Sequence, residues 1–182
     1  MASGFSVRFG SNKLLQQVDG ASMIERTMAS IPPQLFDRAA VVSPYPEILS
    51  LAEKRGYLPV PNPDAAQGQS ASLRLGLARL TDMDGVLFAV CDQPWLEGES
   101  VLRLINCFRE APSRICALSW QGMRGNPAVF PARLFSELLA LTGERGGGVV
   151  IRAHPDLLRL VEVRRAAELR DVDTPAGLNG PV

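Results

Sequence analysis

Short apolar runs alternate along the chain with stretches in which apolar residues recur every three or four positions. The first pattern is typical of buried strands and the second of amphipathic helices. The predicted strands are 39–43, 57–60, 85–91, 114–119 and 158–163. The predicted helices are 22–30, 46–55, 70–80, 99–108 and 132–141. Strands that alternate with helices predict an α/β fold, namely a doubly wound, mostly parallel sheet in a three-layer α/β/α arrangement.

Turn residues separate these segments where the pattern predicts turns, for example at Asp19-Gly20 and at Pro32-Pro33. The chain has 182 residues, which suits one domain with a substantial hydrophobic core. It contains no internal repeat, linker or low-complexity segment. We therefore expect residues 1–182 to form a single domain.

The composition limits which kinds of binding partner and which metal ions we expect for this protein. The formal net charge is zero, from 19 basic and 19 acidic side chains, so the chain lacks the basic field that nucleic-acid binding requires. The apolar runs are far shorter than the ~20 residues of a membrane span, and no secretion signal opens the chain. The sequence thus predicts a cytoplasmic protein. It has a single histidine, so any metal is expected to be a hard cation, Mg²⁺ or Mn²⁺, held by carboxylates.

The first thirteen residues combine glycines with a serine and two cations: Gly4, Ser6, Arg8, Gly10 and Lys13. Glycine lets a backbone approach a ligand closely, and a loop of this kind can present N–H donors to a polyphosphate. Arginine and lysine add the positive charge that phosphates prefer. This pattern predicts a nucleotide-binding loop at the start of the chain.

Polar residues follow the predicted strands, where ligands bind in sheets of this class. Asp92 comes directly after the run 85–91, and a charge there requires a partner such as a divalent cation. The alternative is that Asp92 caps the following loop or helix. Asp171 and Asp173 lie two positions apart and would face one side of an extended segment, towards one cation. A solvated acidic turn remains the alternative for this pair.

Another polar segment, with Asn62, Gly68, Ser70 and Ser72, follows the strand 57–60 and leads into a predicted helix. A helix N-terminus offers free N–H donors to an anion or a base edge. Simple capping of the helix by Ser70 is the alternative interpretation. Glycine clusters further along the chain precede a short apolar run and an apolar helix, and each of them is a weak signal alone.

Taken in order, these segments resemble the MobA-like NTP transferase family, and within it the molybdenum cofactor cytidylyltransferase branch. The family's opening reads L-A-A-G-x-S-x-R-M-G-x-x-K, which residues 2–13 match with Ser3 in place of alanine and Phe9 in place of methionine. The other matching segments are 68–73, 92–94, 125–127, 143–146 and 171–175. The last of these, Asp-Val-Asp-Thr-Pro, is similar to the D-I-D-T-P of the cytidylyl branch, which favours CTP.

The resemblance implies a Rossmann-like nucleotidyltransferase fold and a role for each matching residue. The implied nucleotide-binding residues are Ala2, Ser3, Gly4, Ser6, Gly10, Lys13, Asn62, Gly68, Ser70 and Ser72. The implied catalytic residues are Lys13, Arg8 and Asp92, and the implied metal ligands are Asp92 and Asp173. The implied acceptor-binding residues are Arg124, Gly125, Asn126 and Pro127.

The implied reaction is Mg²⁺-dependent transfer of CMP from CTP to the phosphate of a molybdopterin-type cofactor, with release of pyrophosphate. A molybdenum hydroxylase or its maturation chaperone is the implied protein partner. One alternative is a guanylyltransferase or a sugar-phosphate nucleotidyltransferase of the same fold. Another is a protein of a different class, which binds and delivers a nucleotide or cofactor without catalysis.

The resemblance also makes the start of the chain unusual. Members of the family carry roughly four to eight apolar residues before the opening loop, about one strand's length. Only Met1 and Ala2 stand there in this sequence. We therefore expect a truncated first strand, either because the start lies upstream of Met1, which we favour, or because the strand is short.

Overall fold

The computed structural model describes residues 1–3 and 12–179. Four residues of the predicted loop lie outside the described residues: Gly4, Ser6, Arg8 and Gly10. In the described ranges, no helix is long and apolar enough to span a membrane.

Strands and helices alternate much as the sequence pattern predicts. The strands are β1 (Gln17–Val18), β2 (Ala21–Ser22), β3 (Ala40–Ser43), β4 (Leu58–Pro61), β5 (Gly85–Phe88), β6 (Ile115–Trp120), β7 (Met123–Pro131) and β8 (Leu158–Glu162). The helices are α1 (Met23–Ser30), α2 (Pro46–Lys54), α3 (Gln69–Leu77), α4 (Gly98–Glu110), α5 (Phe135–Leu139) and α6 (Gly148–Ala153). All five predicted strands and all five predicted helices are confirmed, with small shifts at their ends.

Two features of the sheet were not predicted. Strand β7 lies between β5 and β6 and is antiparallel to both. Its apolar half is short and is preceded by Gly125 and Pro127, which are uncommon inside strands, so the pattern does not indicate a strand. A small antiparallel hairpin of β1 and β2 also forms around Asp19 and Gly20, which both have positive φ angles.

The remaining strand pairs are parallel. Strand β3 pairs with β4, and β6 pairs with β8 in a four-stranded sheet ordered β5-β7-β6-β8. The pairing between β6 and β7 shifts register between Ala117 and Ser119. The α/β class with parallel strands is therefore confirmed, with β7 as an antiparallel insertion.

Strand β6 shows why the fold has three layers. Successive side chains of a strand point to opposite faces of its sheet. Ile115 and Ala117 join one apolar cluster with residues of α3, α5 and α6. Cys116 and Leu118 join another with residues of α4. Both faces of the sheet are thus covered by helices, as the α/β/α prediction requires.

The start of the chain lies between β3 and β5. The backbone N–H of Ala2 donates to the Val42 carbonyl over 2.9 Å, and the Met1 ammonium donates to the Ala89 carbonyl over 2.7 Å. Ala2 is fully buried, and a cavity of about 330 Å³ adjoins Met1. Residues 1–3 do not form a regular strand, but they connect the edge of β3 to the segment after β5.

Candidate functional site

Lys13 joins the two predicted metal ligands. Its ammonium donates to Oδ2 of Asp92 over 2.8 Å and to Oδ1 of Asp173 over 3.0 Å. It also donates to the Val172 carbonyl over 3.1 Å. The structure therefore brings Lys13, Asp92 and Asp173 together from three distant parts of the sequence.

Local structure positions each member of this cluster. Lys13 opens a short 3-10 turn that Asn12 caps, since the Asn12 side chain accepts a hydrogen bond from the Leu14 N–H over 3.1 Å. The segment with Asp173 is held against the segment with Asp92, because the Val172 N–H donates to the Asp92 carbonyl over 2.9 Å. Val172 is fully buried, so this strand-like contact fixes the Asp173 backbone beside the end of β5.

The electrostatics of the cluster favour a charged lysine. Burial lowers the pKa of Lys13, but the hydrogen bonds and negative charges of Asp92 and Asp173 outweigh it, so the pKa of Lys13 is raised above its usual 10.5. The ammonium is therefore fully protonated at neutral pH. A protonated lysine at this position can neutralise the charge of a phosphate.

Asp92 has an oxygen that the rest of the described chain does not satisfy. Its Oδ1 is buried and has no hydrogen-bond partner among the residues described, while its Oδ2 contacts Lys13. Leaving a buried carboxylate oxygen unpaired is costly. Asp92 does not cap α4, whose N-cap residue is Glu97, so the alternative that Asp92 caps the following helix is wrong. The free oxygen fits a divalent cation.

Two carboxylates are sufficient for the cation expected here. No group of three or more metal-ligating side chains converges anywhere in the described part of the chain. Mg²⁺ is commonly bound by one or two carboxylates together with water and substrate phosphates. Asp92 and Asp173 fit that pattern, because both already contact one cationic group, the Lys13 ammonium.

Asp171 plays a different part from Asp173. Its Oδ1 accepts a hydrogen bond from the Gln93 side chain over 2.8 Å. Burial and the negative charge of Asp92 raise its pKa above the usual 3.8. Gln93 is almost fully buried and also donates to the Leu169 carbonyl over 3.1 Å. Asp173, not Asp171, therefore shares the Lys13 ammonium with Asp92. Gln93 holds residues 169 and 171, which precede Asp173, through its two hydrogen bonds.

A second cluster contains three of the predicted nucleotide-binding residues. The Asn62 side-chain amide donates to the hydroxyl oxygens of Ser72, over 2.9 Å, and of Ser3, over 3.2 Å. Its carbonyl oxygen accepts from the Asp64 N–H over 3.1 Å. Asn62 and Ser72 are buried, so this network fixes the turn after β4 against the start of α3 and the chain start.

The beginning of α3 differs from the capping alternative. Gly68, with φ of 93°, is the N-cap residue, and no side chain caps the helix. Ser70 lies inside the helix, where its N–H donates to the Gly143 carbonyl over 3.1 Å. A Cβ at Gly68 would lie 2.6 Å from the Gly143 carbonyl group, so only glycine permits this approach. The loop after α5 thus packs directly on the start of α3.

The predicted acceptor segment, Arg124, Gly125, Asn126 and Pro127, forms the first half of β7. A Cβ at Gly125 would lie 2.8 Å from the Leu169 side chain, and the Leu169 carbonyl accepts the hydrogen bond of Gln93. The Asn126–Pro127 peptide bond is cis. The acceptor segment is therefore connected through Leu169 to the residue that follows Asp92.

Glu168 was not predicted to have a role from the sequence, yet its side chain is fully buried. Its Oε1 accepts from the Arg164 N–H over 3.0 Å, and its Oε2 accepts from the Glu97 N–H over 3.3 Å. It therefore ties the segment after β8 to the start of α4. The available signal was its position three residues after Arg165, at the start of a 3-10 turn, where an acid can bond back to the backbone.

This combination of fold and site defines a class of protein. Lys13, Asp92 and Asp173 lie together beyond the carboxyl end of β5, which is where ligands bind in α/β sheets of this kind. The chain belongs to the MobA-like NTP transferase family: the model of the MobA-like NTP transferase domain matches residues 1–158. It is a nucleotidyltransferase, as the resemblance implied.

Characterised relatives cover most of the chain. It is 26% identical to "Purine catabolism protein PucB" of Bacillus subtilis over 189 residues, which is 96% of this chain and 90% of that protein. It is 29% identical to "Nicotine blue oxidoreductase" of Paenarthrobacter nicotinovorans over 135 residues, which is 70% of this chain and 65% of that protein.

Solved structures confirm the Rossmann-like nucleotidyltransferase fold. Rv0371c of Mycobacterium tuberculosis has a TM-score of 0.79 and 25% identity, covering 95% of this chain and 89% of that one. A nucleotidyl transferase of Methanothermobacter thermautotrophicus, Mth528, has a TM-score of 0.78 and 24% identity, covering 96% and 90%. A complex of Rv0371c with manganese has a TM-score of 0.69 and 21% identity, covering 88% and 84%.

Proposed function

We propose that this nucleotidyltransferase transfers CMP from CTP to the terminal phosphate of a molybdopterin-type cofactor and releases pyrophosphate. The observation that carries the proposal is the arrangement around Asp92. One of its oxygens is buried without a partner in the described structure, and the other shares the Lys13 ammonium with Asp173. A phosphoryl-group reaction needs this combination of a fixed cation and a carboxylate ready for a metal.

No covalent protein nucleophile is required for such a transfer. The acceptor phosphate attacks the α-phosphorus of the nucleotide in line, and the bond to pyrophosphate breaks, so the protein contributes positioning and charge neutralisation. Lys13 supplies positive charge for the phosphates, and its raised pKa keeps it protonated at neutral pH. Arg8, outside the described residues, is the second cation of the proposed triphosphate loop, with Gly4, Ser6 and Gly10 supplying its close-approaching backbone.

Asp92 and Asp173 would hold Mg²⁺ or Mn²⁺ through carboxylate oxygens. When bound, such a cation neutralises phosphate charge and orients the attacking and leaving oxygens. Asp92 is the better fixed ligand, since its side chain is 23% exposed, whereas that of Asp173 is 60% exposed. A manganese complex of Rv0371c among the similar structures supports a divalent cation in a fold of this kind.

The buried hydrogen-bond network around Asn62 supports a nucleotide-binding site next to Ser3, near the start of the chain. Asn62 holds the side chains of Ser3 and Ser72 in place through hydrogen bonds. Gly68 lets the loop after α5 approach the start of α3. These groups would position the base and ribose, with Ala2 and Ser70 fixing the backbone around them. The preference for CTP over GTP rests on the Asp-Val-Asp-Thr-Pro segment rather than on a contact to a base.

The test is pyrophosphate release from CTP, GTP, ATP and UTP, each with purified molybdopterin cofactor and Mg²⁺. We expect release with CTP that depends on both cofactor and metal, and at least tenfold less with the other nucleotides. Thermal stability with each nucleotide is measured in parallel, because a ligand that binds the folded state raises Tm. Stabilisation by CTP with tight cofactor binding and no pyrophosphate would contradict catalysis and support a delivery protein instead.

A further inference from the structure

Two arginines meet beside Gly148, the first residue of α6. A Cβ at Gly148 would lie 3.2 Å from Nη2 of Arg124 and 3.6 Å from Nη1 of Arg152. The two guanidinium groups therefore flank the space that a side chain at position 148 would take. Glycine at this position leaves that space to the arginines.

Neither guanidinium has an acidic partner in the part of the chain that the structure describes. Six of the sixteen arginines there form ion pairs: Arg26, Arg38, Arg55, Arg103, Arg164 and Arg165. Arg124 and Arg152 are among the ten that form none with the described residues, and these two also lie close enough to repel each other. Burial, and then the charge of Arg152, lower the pKa of Arg124. An anion bound between the two groups would relieve this repulsion.

The pair lies close to the start of α3. Arg124 belongs to the predicted acceptor segment on β7, and Gly148 begins α6. The loop that leads into Gly148 packs on the start of α3, because a Cβ at Gly146 would overlap the Gln69 side chain. The two arginines thus lie beside the loop that contacts the start of α3, where we propose that the nucleotide binds.

We propose that Arg124 and Arg152 together form a binding site for a phosphate group of the acceptor. Two planar guanidinium groups offer several N–H donors, which suits the tetrahedral oxygens of a phosphate. The identity of the ligand as the acceptor rests on the proposed function, whereas the phosphate site itself rests on the paired arginines. Arg152 is the new member, since no sequence motif indicated it.

The site is tested by protection from phenylglyoxal, which modifies arginine side chains, in the whole protein. Mass spectrometry follows modification at Arg124, Arg152 and Arg159, an exposed arginine on β8 that serves as the control. With inorganic phosphate at saturating concentration, we expect modification of the first two to slow by about fivefold relative to chloride at equal ionic strength. Arg159 should react at the same rate in both salts.

A second arm separates the two sources of phosphate. CTP with Mg²⁺ should leave the rates at Arg124 and Arg152 unchanged if the site belongs to the acceptor. Equal protection by CTP would overturn the assignment to the acceptor and place the nucleotide's phosphates there. Equal rates in phosphate and chloride would overturn the phosphate site altogether. Neither readout requires turnover, so both remain decisive if cytidylyl transfer is not observed.

If cytidylyl transfer is observed, the kinetic constants of the Arg152→Gln variant provide a second test of the phosphate site. Loss of one charge-assisted contact should raise the KM for molybdopterin cofactor by roughly tenfold or more, while the KM for CTP stays within about twofold. Arg159→Gln makes the same charge change on β8 and should alter neither constant. An unchanged cofactor KM in Arg152→Gln would overturn the role of this residue.

Discussion

Asp92 and Glu168 are carboxylates beside the same sheet, and each has a buried oxygen, yet their surroundings differ completely. Glu168 is fully buried, and both of its oxygens accept backbone hydrogen bonds, from Glu97, Arg164 and Arg165. Asp92 has one oxygen on Lys13 and one buried oxygen without a partner in the described structure. A fully bonded carboxylate holds chain segments together, whereas a partly bonded one keeps capacity for a ligand.

This difference separates an acid that holds the fold together from one that we propose as a metal ligand. The donors of Glu168 are backbone groups that cannot move away without unfolding the segment after β8. The donor of Asp92 is a lysine side chain, which can shift along a phosphate or a metal while the backbone stays in place. We therefore expect substitutions at the two positions to affect different properties of the protein.

The largest effect is expected at Asp92. Asp92→Asn removes the negative charge that a divalent cation requires, so pyrophosphate release should fall by roughly a thousandfold. The free energy of unfolding should change by less than about 1 kcal/mol, since an amide oxygen still accepts from Lys13. Initial rates under saturating CTP and Mg²⁺, together with urea denaturation, measure both quantities.

Asp156→Asn is the matched control, because Asp156 is an exposed aspartate in a 3-10 turn before β8. It should retain full activity. Wild-type turnover in a folded Asp92→Asn protein would show that Asp92 does not bind the metal. Asp92 would then have no functional role that distinguishes it from Glu168.

Lys13 is the next position at which the comparison can be tested. Lys13→Met leaves both oxygens of Asp92 without the ammonium, so activity should fall by roughly a hundredfold through the loss of phosphate neutralisation. Mg²⁺ should also raise Tm more in this variant than in the wild type, since the ammonium no longer competes for the same carboxylates. Lys54→Met, at the exposed end of α2, should behave as the wild type in both measurements. An equal metal effect on the Tm of Lys13→Met and wild type would contradict a shared site.

The asymmetry between the two acids also shows what sequence reasoning can reach. Asp92 was identifiable because an apolar run ends directly before it, and the ends of strands in this class of sheet carry ligands. Glu168 sits in a segment without periodicity, where only its position after Arg165 was a local signal, and its donor on the other oxygen, the Glu97 N–H, is 71 positions away. Long-range partners of this kind leave no local pattern.

The same limit explains the errors in the fold. Short apolar runs predicted five strands correctly, because such runs are typical of strands buried on both faces, and a period of three to four residues predicted five helices, because one face of each helix is buried. Strand β7 was missed, since glycine and proline interrupt it and its pairing with β5 and β6 comes from tertiary contacts. The pairing of Arg124 with Arg152 could not be predicted either, because nothing in the spacing of β7 and α6 indicates that both reach Gly148.

Glu168→Gln tests the structural half of the comparison. Glutamine replaces one carboxylate oxygen with an NH2 group. At least one backbone N–H that donates to Glu168 in the wild type therefore loses its acceptor. We expect a loss of about 2 to 3 kcal/mol in the free energy of unfolding. Activity per folded molecule should remain that of the wild type, measured below the midpoint of unfolding. Lost activity in a fully folded variant would show that Glu168 also serves the reaction.

The smallest effect is expected at Glu25, whose carboxylate also accepts hydrogen bonds but is partly exposed to solvent. Glu25 accepts from the Ser22 hydroxyl over 2.7 Å and from the Ser22 N–H over 3.1 Å, and it pairs with Arg55. These hydrogen bonds, with the charge of Arg55, lower the pKa of Glu25 below its usual 4.5. A lowered folded-state pKa means that the charged form stabilises the fold above about pH 4.5, and that this contribution is lost as the pH falls through the folded-state pKa.

Glu25→Gln keeps an oxygen that can accept from Ser22 but removes the charge, so solvent screening should limit the cost to about 0.5 kcal/mol at pH 7. The difference from wild type should shrink as the pH falls below 4.5, because the wild-type carboxylate becomes protonated and then resembles the amide. Urea denaturation at pH 7 and at pH 3 measures this change. A difference that stays constant between the two pH values would mean that the charge of Glu25 contributes nothing to the free energy of unfolding.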